Sequence, residues 1–363
     1  MTTTKPTMMT YVLEQPDIIE AITASYPGNV DGFAEVALGK DDWLVFATGS
    51  SYNAALSAKY YVEKWAGVRM EIKEPFHFTY YDRISPHVDL AVGISQSGQS
   101  TSTIGALQRV RKETGMATVA MASDAASAIS ESADATVDIG CGKERVGYVT
   151  KGFTSTVLTF MLAGLRLAER KGLASPDQVR SELVAFRNFG AALPQIIADT
   201  EAFYERYKED FVGAPRFTAV GNGPAVGTVK EIETKFSETV RIPTQGIELE
   251  AFMHGPYLEV NPEHRMFFLE TESPVKHRLE SLRDYESRIT PYTYTVKLGR
   301  AAEERTLGID AQLDEFQAPL ALVIPFQILA HHIAGGRGID LTNRIYTDFG
   351  VAMKSKTQPG DYA

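Results

Sequence analysis

A chain of 363 residues allows roughly two domains of about 150 residues each, and a hydrophobic share of 44% against 23% charged is that of a globular protein. The net charge of -10, with no basic block to offset it, excludes a nucleic-acid surface, and the single cysteine, Cys141, excludes an internal disulfide framework and a thiolate metal cluster. No run approaches the roughly 18 uninterrupted apolar residues of a membrane span, and the start MTTTKP has no apolar block to make it a secretory signal, so the expectation is a cytoplasmic protein.

Apolar residues at helical spacing from Tyr11 to Leu38, broken at Pro27-Gly28, predict two N-terminal helices within residues 1–40. Trp43 to Ala47 reads as an apolar strand that hands over to Thr48-Gly49-Ser50-Ser51 and a helix from Tyr52 to Trp65. Val68 to Ile72 is the next strand, Phe76 to Tyr81 a short helix, and Val88 to Ile94 a strand that ends in SQSGQST. Helix 103–114, strand 117–121, helix 125–132 and strand 135–139 follow. This alternation predicts an α/β fold with a doubly wound parallel sheet. Ligands of such sheets sit beyond the carboxyl ends of the strands, where both hydroxyl loops emerge.

Residues 153–171 and 176–211, the latter interrupted near Pro194, predict long helices. A second alternating unit begins with strand Phe217 to Val220, the loop Gly221-Asn222-Gly223-Pro224, and a helix from Ala225 to Val240 with Val226, Val229, Ile232, Phe236 and Val240 on one face. Strands 265–269 and 292–296 flank a helix over 275–288, and a last helix runs from Gln327 to Ala334 with Pro325 at its start. The division is N-terminal helices 1–40, a first domain 41–195, a second domain 196–345 and a tail 346–363. The second copy places Glu270 and Glu272 where the first has hydroxyls, and like-charge repulsion assigns any phosphate site to the first.

Backbone N–H groups at a helix start lack intrahelical partners, so Ser95, Gln96, Ser97 and Ser100 can cradle a phosphate there. Serines before a helix also serve as plain caps and turn residues, and SQSG alone leaves both readings open. GxxxxGK[ST], HExxH, CxxC and GxSxG are all absent, and Gly221-Asn222-Gly223 is a fragment of a dinucleotide fingerprint. Lys235 and Glu238 stand three apart on a helix, off its apolar face, where an exposed ion pair and a functional pair are the alternatives. His254 precedes Gly-Pro, and Lys354 lies in a tail that reads equally as disorder.

ATGSSYNAA at 47–55, ISQSGQST at 94–101, VTKGFTS at 149–155, and Lys235 and Glu238 followed by HGP at 254–256 resemble the sugar isomerase (SIS) family of phosphosugar-binding domains. That family includes the isomerase half of glucosamine-6-phosphate synthase, with two such domains in tandem. The resemblance runs from about Trp43 to Lys356 and implies two flavodoxin-like α/β/α sandwiches. It implies that Ser50 and Ser51 contact sugar and phosphate, that Ser95, Gln96, Ser97 and Ser100 cradle the phosphate, and that Lys235 and Glu238 open the ring and transfer protons. It further implies that His254 is delivered from a neighbouring subunit, hence a homodimer or larger homo-oligomer with a shared site, and that Lys354 closes over the sugar. The chain departs from the family at Val149, where the synthase has serine, and without the glutaminase half glutamine-dependent amination is not expected of this chain alone. The implied substrate is a ketose 6-phosphate or its amine adduct, and the implied activity is a fructosamine-6-phosphate deglycase working through an enaminol. An aldose–ketose or amino-sugar phosphate isomerase is the alternative, and a non-catalytic phosphosugar sensor a second one. Such regulators carry a helix-turn-helix segment, for which residues 1–40 have too little positive charge. The chemistry needs no metal and no redox cofactor, and the expected partner is a small-molecule sugar phosphate, with no nucleic acid and no membrane.

Overall fold

A computed structural model describes residues 5–301 and 303–358; the first four residues and 359–363 of the expected tail lie outside the described residues. The chain begins with α1 (Met8–Leu13), α2 (Gln15–Ala24) and α3 (Asp31–Ala37), three helices where the spacing predicts two. Pro16 accounts for the extra break, because a proline disfavours continuation of the helix through the residue before it.

The first sheet is built from β1 (Asp42–Phe46), α4 (Ser50–Ala66), β2 (Arg69–Lys73), α5 (Pro75–Tyr81), β3 (Leu90–Ile94), α6 (Thr101–Thr114), β4 (Ala117–Ala122), a 3₁₀ turn (Ala128–Ser132) and β5 (Ala135–Asp138). The long helices α7 (Lys151–Arg170) and α8 (Pro176–Val212) follow. The second sheet comprises β6 (Phe217–Gly221), α9 (Ala225–Thr239), β7 (Thr244–Glu248), α10 (Leu249–Phe252), β8 (Arg265–Glu270), α11 (Lys276–Glu286), β9 (Thr293–Leu298) and β10 (Thr306–Ile309), and the described chain closes with α12 (Pro319–Gly336) and α13 (Phe349–Ala352).

Among the described residues every pairing between these strands is parallel. The strand orders are β2-β1-β3-β4-β5 and β10-β9-β8-β6-β7. Counted from its own first strand, the second sheet has the same order as the first. The chain therefore holds two doubly wound, flavodoxin-like α/β units, as the sequence predicts. Each has its switch point between the first and third strands, β1 and β3 in one, β6 and β8 in the other.

The chain ends are exchanged between the units: residues 17–187 and 344–358 belong with the first sheet, 5–16 and 188–343 with the second. This differs from the contiguous division the sequence suggests. In the second unit Met8, Tyr11 and Val12 of α1 are buried, and Gln15 donates to Gln327 of α12 at 2.8 Å. In the first unit Leu44, Phe46, Phe78, Ala91, Leu107 and Ile129 form one core cluster. In the second, Val220, Leu249, Phe252, Met266, Phe268 and Leu279 form another. Each large apolar side chain so buried contributes about 1.5–3 kcal/mol before the cost of ordering the chain.

Two helix boundaries depart from expectation for one reason. Pro325 sits inside α12 rather than at its start, and Pro194 lies within the helical run of α8, which kinks instead at Tyr207. An interior proline costs about 3 kcal/mol in an isolated helix. In α12 the run from Leu320 to Ala330 is buried throughout, and that burial outweighs the lost backbone bond. α12 is also, among the described residues, the one helix long and apolar enough to cross a membrane, but 78% of it is buried inside the protein, as in a core helix. The sequence reading also passes over β7 and β10, short strands without an apolar run.

Candidate functional site: two hydroxyl loops and a buried lysine

The two hydroxyl loops of the first unit leave adjacent strands at its switch point and are bonded to each other. Ser50 opens α4, and the Ser51 hydroxyl accepts from the Gln96 backbone N–H at 3.2 Å. The loop after β3 is folded on itself: the Gly98 amide donates to the Ser95 carbonyl at 2.8 Å, the Ser100 amide to the Ser95 hydroxyl at 3.4 Å, and the Gln99 amide to the Ser97 hydroxyl at 3.4 Å. Gly98 has φ +64°, and a Cβ on it would fall 1.9 Å from the Ser127 Oγ, so this turn admits no other residue. Ser100 occupies the N-cap position of α6, yet its side chain makes no capping bond. Its hydroxyl instead accepts from Thr103 Oγ1 at 3.0 Å. Of the two readings open for SQSG, plain capping is thus not what Ser100 does.

The tail meets this loop. The Thr101 hydroxyl donates to the Lys354 carbonyl at 2.9 Å, the Thr101 amide to the Ser355 carbonyl at 3.3 Å, and the Thr357 amide to the Gln99 carbonyl at 3.0 Å. Lys356 and Ser100 form an isolated antiparallel bridge. Lys354 itself is exposed and adopts φ +51°.

A residue the sequence reading passes over lies beside the same loop. Glu144 accepts at Oε1 from the Thr150 and Lys151 amides, both at 2.9 Å, and at Oε2 from the Gly152 amide at 3.2 Å and from Gln96 Nε2 at 3.4 Å. A carboxylate placed before a helix is the only signal in the sequence, and it is a common one. The neighbouring Cys141 is buried, and burial, with the Glu144 charge, pushes its thiol up to about 12.

In the second unit α9 carries a polar stripe beneath its apolar one. Thr228, Glu231, Lys235 and Thr239 recur at helical spacing and are all buried. Lys235 is 1% exposed, so the exposed ion pair considered from sequence is overturned: its ammonium sits 3.5 Å from the fully buried Glu231 and in direct contact with Glu238, whose side chain stays 32% exposed. Glu231 is the second group missed from sequence, hidden because it adjoins the apolar face that Ile232 marks. His254 is exposed in the same unit, its Nδ1 2.8 Å from the Glu250 carbonyl.

The switch point of the second unit is closed differently, by Asn222 Nδ2 donating to the Ser273 hydroxyl at 3.1 Å. Glu270 there is buried among Lys276, Arg283 and Lys297 at 3.3, 3.4 and 3.8 Å. The bare like-charge repulsion inferred from sequence is therefore absent; the carboxylate is neutralised. Among the described residues no cluster of His, Cys, Asp or Glu is placed to hold a metal ion.

Residues 40–168 match the SIS domain family. The chain is 25% identical over 344 residues to the glutamine–fructose-6-phosphate aminotransferase [isomerizing] of Gloeobacter violaceus and 27% identical over 330 residues to that of Bordetella pertussis. These alignments cover 92% and 89% of this chain but 56% and 53% of the relatives, so the chain spans about half their length. Among solved structures, a Clostridium difficile 630 protein provisionally classed as a phosphosugar isomerase superposes with a TM-score of 0.85 at 26% identity, over 98% of this chain and 100% of its own. The C-terminal domain of the Francisella tularensis glucosamine-fructose-6-phosphate aminotransferase does so with a TM-score of 0.83 at 23% identity, over 92% and 96%, a likeness of fold. The stretch that holds both hydroxyl loops and most of α7 is thus a SIS domain.

Proposed function

We propose that the protein is a phosphosugar-processing enzyme acting on a ketose 6-phosphate or its amine adduct, and that its reaction is the deglycation of a fructosamine 6-phosphate. The observation that carries the reading is the state of the loop hydroxyls. Ser95 and Ser97 accept from backbone amides and keep their own protons, and Ser100 leaves its helix uncapped. With Ser100, whose hydroxyl also lies 3.3 Å from that of Ser102, they set O–H groups beside the positive end of α6 that match a phosphate dianion, which offers acceptors alone.

The proton chemistry falls to Glu238. It removes a proton from C1 of the open-chain sugar and returns it to C2, a general-base step commonly worth about 10² to 10⁴ in rate. Lys235, buried and in contact with it, holds the carboxylate in place. Lys235 and His254 assist ring opening by moving protons to and from the ring and carbonyl oxygens. When C1 bears an amine nitrogen, loss of the C1 proton gives an enaminol, and protonation at C2 leaves a C1 imine. Water adds to that imine and the C–N bond breaks, releasing an aldose 6-phosphate and the amine. The names of the similar proteins, which join fructose 6-phosphate and isomerisation, agree with a C1–C2 proton shift.

Incubation with fructose 6-phosphate and with a 6-phosphofructosyl amine, followed by assay of aldose 6-phosphate and free amine, tests the reading. Amine release supports it. Interconversion of fructose 6-phosphate without amine release replaces it with an isomerase, and binding without turnover of either replaces it with a sensor.

A further inference from the structure

Glu144 spends three backbone amides at the start of α7 on the protein's own carboxylate, so that helix end is closed to a ligand anion. The same carboxylate takes a hydrogen of the Gln96 side-chain amide at 3.4 Å. The neighbouring Cys141 thiol donates away from this amide, to the Gly142 carbonyl at 3.2 Å. The Gln96 backbone is engaged as well, its N–H on Ser51 and its carbonyl accepting from the Ser123 amide at 2.9 Å. Among the described residues no donor reaches Gln96 Oε1. Reversing the amide would set that oxygen against the Glu144 carboxylate, two acceptors with no hydrogen between them. Gly152 holds the arrangement tight: a Cβ there would lie 2.7 Å from Gln96 Cγ and 2.7 Å from Glu144 Oε2.

We propose that Glu144 is a positioning residue that fixes the Gln96 amide with its carbonyl oxygen as the end left for a ligand, so that Gln96 accepts from a sugar hydroxyl. This rests on the phosphosugar reading of the site and changes the part of Gln96 within it. The phosphate is left to Ser95, Ser97 and Ser100, while Glu144, through Gln96, sets which sugar is held.

Calorimetric titration of the full chain with inorganic phosphate and with fructose 6-phosphate tests this on wild type, Gln96→Leu, Glu144→Gln and the double variant. The substitution at 144 keeps a carbonyl oxygen for the α7 amides and turns an NH₂ toward Gln96, which reverses the Gln96 amide. The expected result is that each single variant weakens fructose 6-phosphate about tenfold or more while inorganic phosphate stays within about twofold, and that Glu144→Gln adds nothing in the Gln96→Leu background. Equal weakening of inorganic phosphate, or a Glu144→Gln effect that persists without Gln96, overturns the proposal. The Gln96 side-chain amide signal in ligand-free ¹H–¹⁵N spectra, identified by its loss in Gln96→Leu, is expected to shift in Glu144→Gln; an unmoved signal overturns it independently of any sugar. If wild type binds phosphate but not fructose 6-phosphate, the phosphosugar reading falls, and the amide signal still decides whether Glu144 orients Gln96.

Discussion

The Ser51 hydroxyl accepts a hydrogen bond from the Gln96 backbone amide at 3.2 Å, tying together two loops 45 residues apart at the switch point of the first sheet. Ser51→Ala removes that acceptor and leaves a partly buried N–H without it. The expected cost is about 1 kcal/mol of stability in urea titration, with inorganic phosphate bound several-fold more weakly by calorimetry. Unchanged phosphate affinity would show that the two loops do not act together.

Lys235 and Glu238 touch, but they are buried unequally, and the two halves of the pair respond differently to substitution. Lys235→Met leaves the fully buried Glu231 without its cation, a loss of about 3–5 kcal/mol. Glu238→Gln, at a position that solvent partly screens, costs less than about 1 kcal/mol. Chemical denaturation of the two variants checks the contrast.

His264 introduces a pH dependence in the second unit. It is buried with its ring 2.8 Å from the Thr218 hydroxyl, and burial, with the Arg216 charge, lowers it from 6.5 to about 4. The unfolded chain therefore takes up a proton near pH 6.5 that the folded chain refuses until about pH 4. Stability is full above the unfolded value and falls as pH drops through this window, by about 3 kcal/mol at most. Glu286 acts in the opposite sense: burial without a partner for either oxygen raises it, so it weakens the fold as pH rises above the usual carboxylate range. Urea titrations from pH 4 to 8 on wild type, His264→Gln and Glu286→Gln separate the two slopes.

The parts of the fold legible in sequence are those where one face decides. β1, β3 and β8 are apolar runs because helices cover both sides of a parallel sheet, and each announces itself. β7, TQGIE, lies at a sheet edge and shows no run, so its pairing with β6 was not readable. The hydroxyl loops were visible because serine and glycine cluster after a strand. Glu231 and Glu144 were not: the first is buried by a second contact face of α9, the second acts across a turn on amides six to eight residues ahead. Neither pattern has a period that distinguishes it from a solvated charge.

The tail is held to the first unit through Gln99, Ser100 and Thr101. Thr101→Val removes the hydroxyl that donates to the Lys354 carbonyl. Amide hydrogen exchange over residues 353–358 is expected to quicken about five- to tenfold, with the exchange of β1, β3 and β4 unchanged. Exchange in the tail that matches wild type would mean the contact does not hold it.

The central claim is that Glu238 moves the proton between C1 and C2. Single-turnover assay of wild type and Glu238→Gln in deuterated water, on whichever of fructose 6-phosphate and the 6-phosphofructosyl amine wild type converts faster, tests it most directly. The account predicts a folded variant with turnover down by about 10² or more and with solvent deuterium no longer entering C2. Full turnover with undiminished deuterium at C2 would place the base elsewhere.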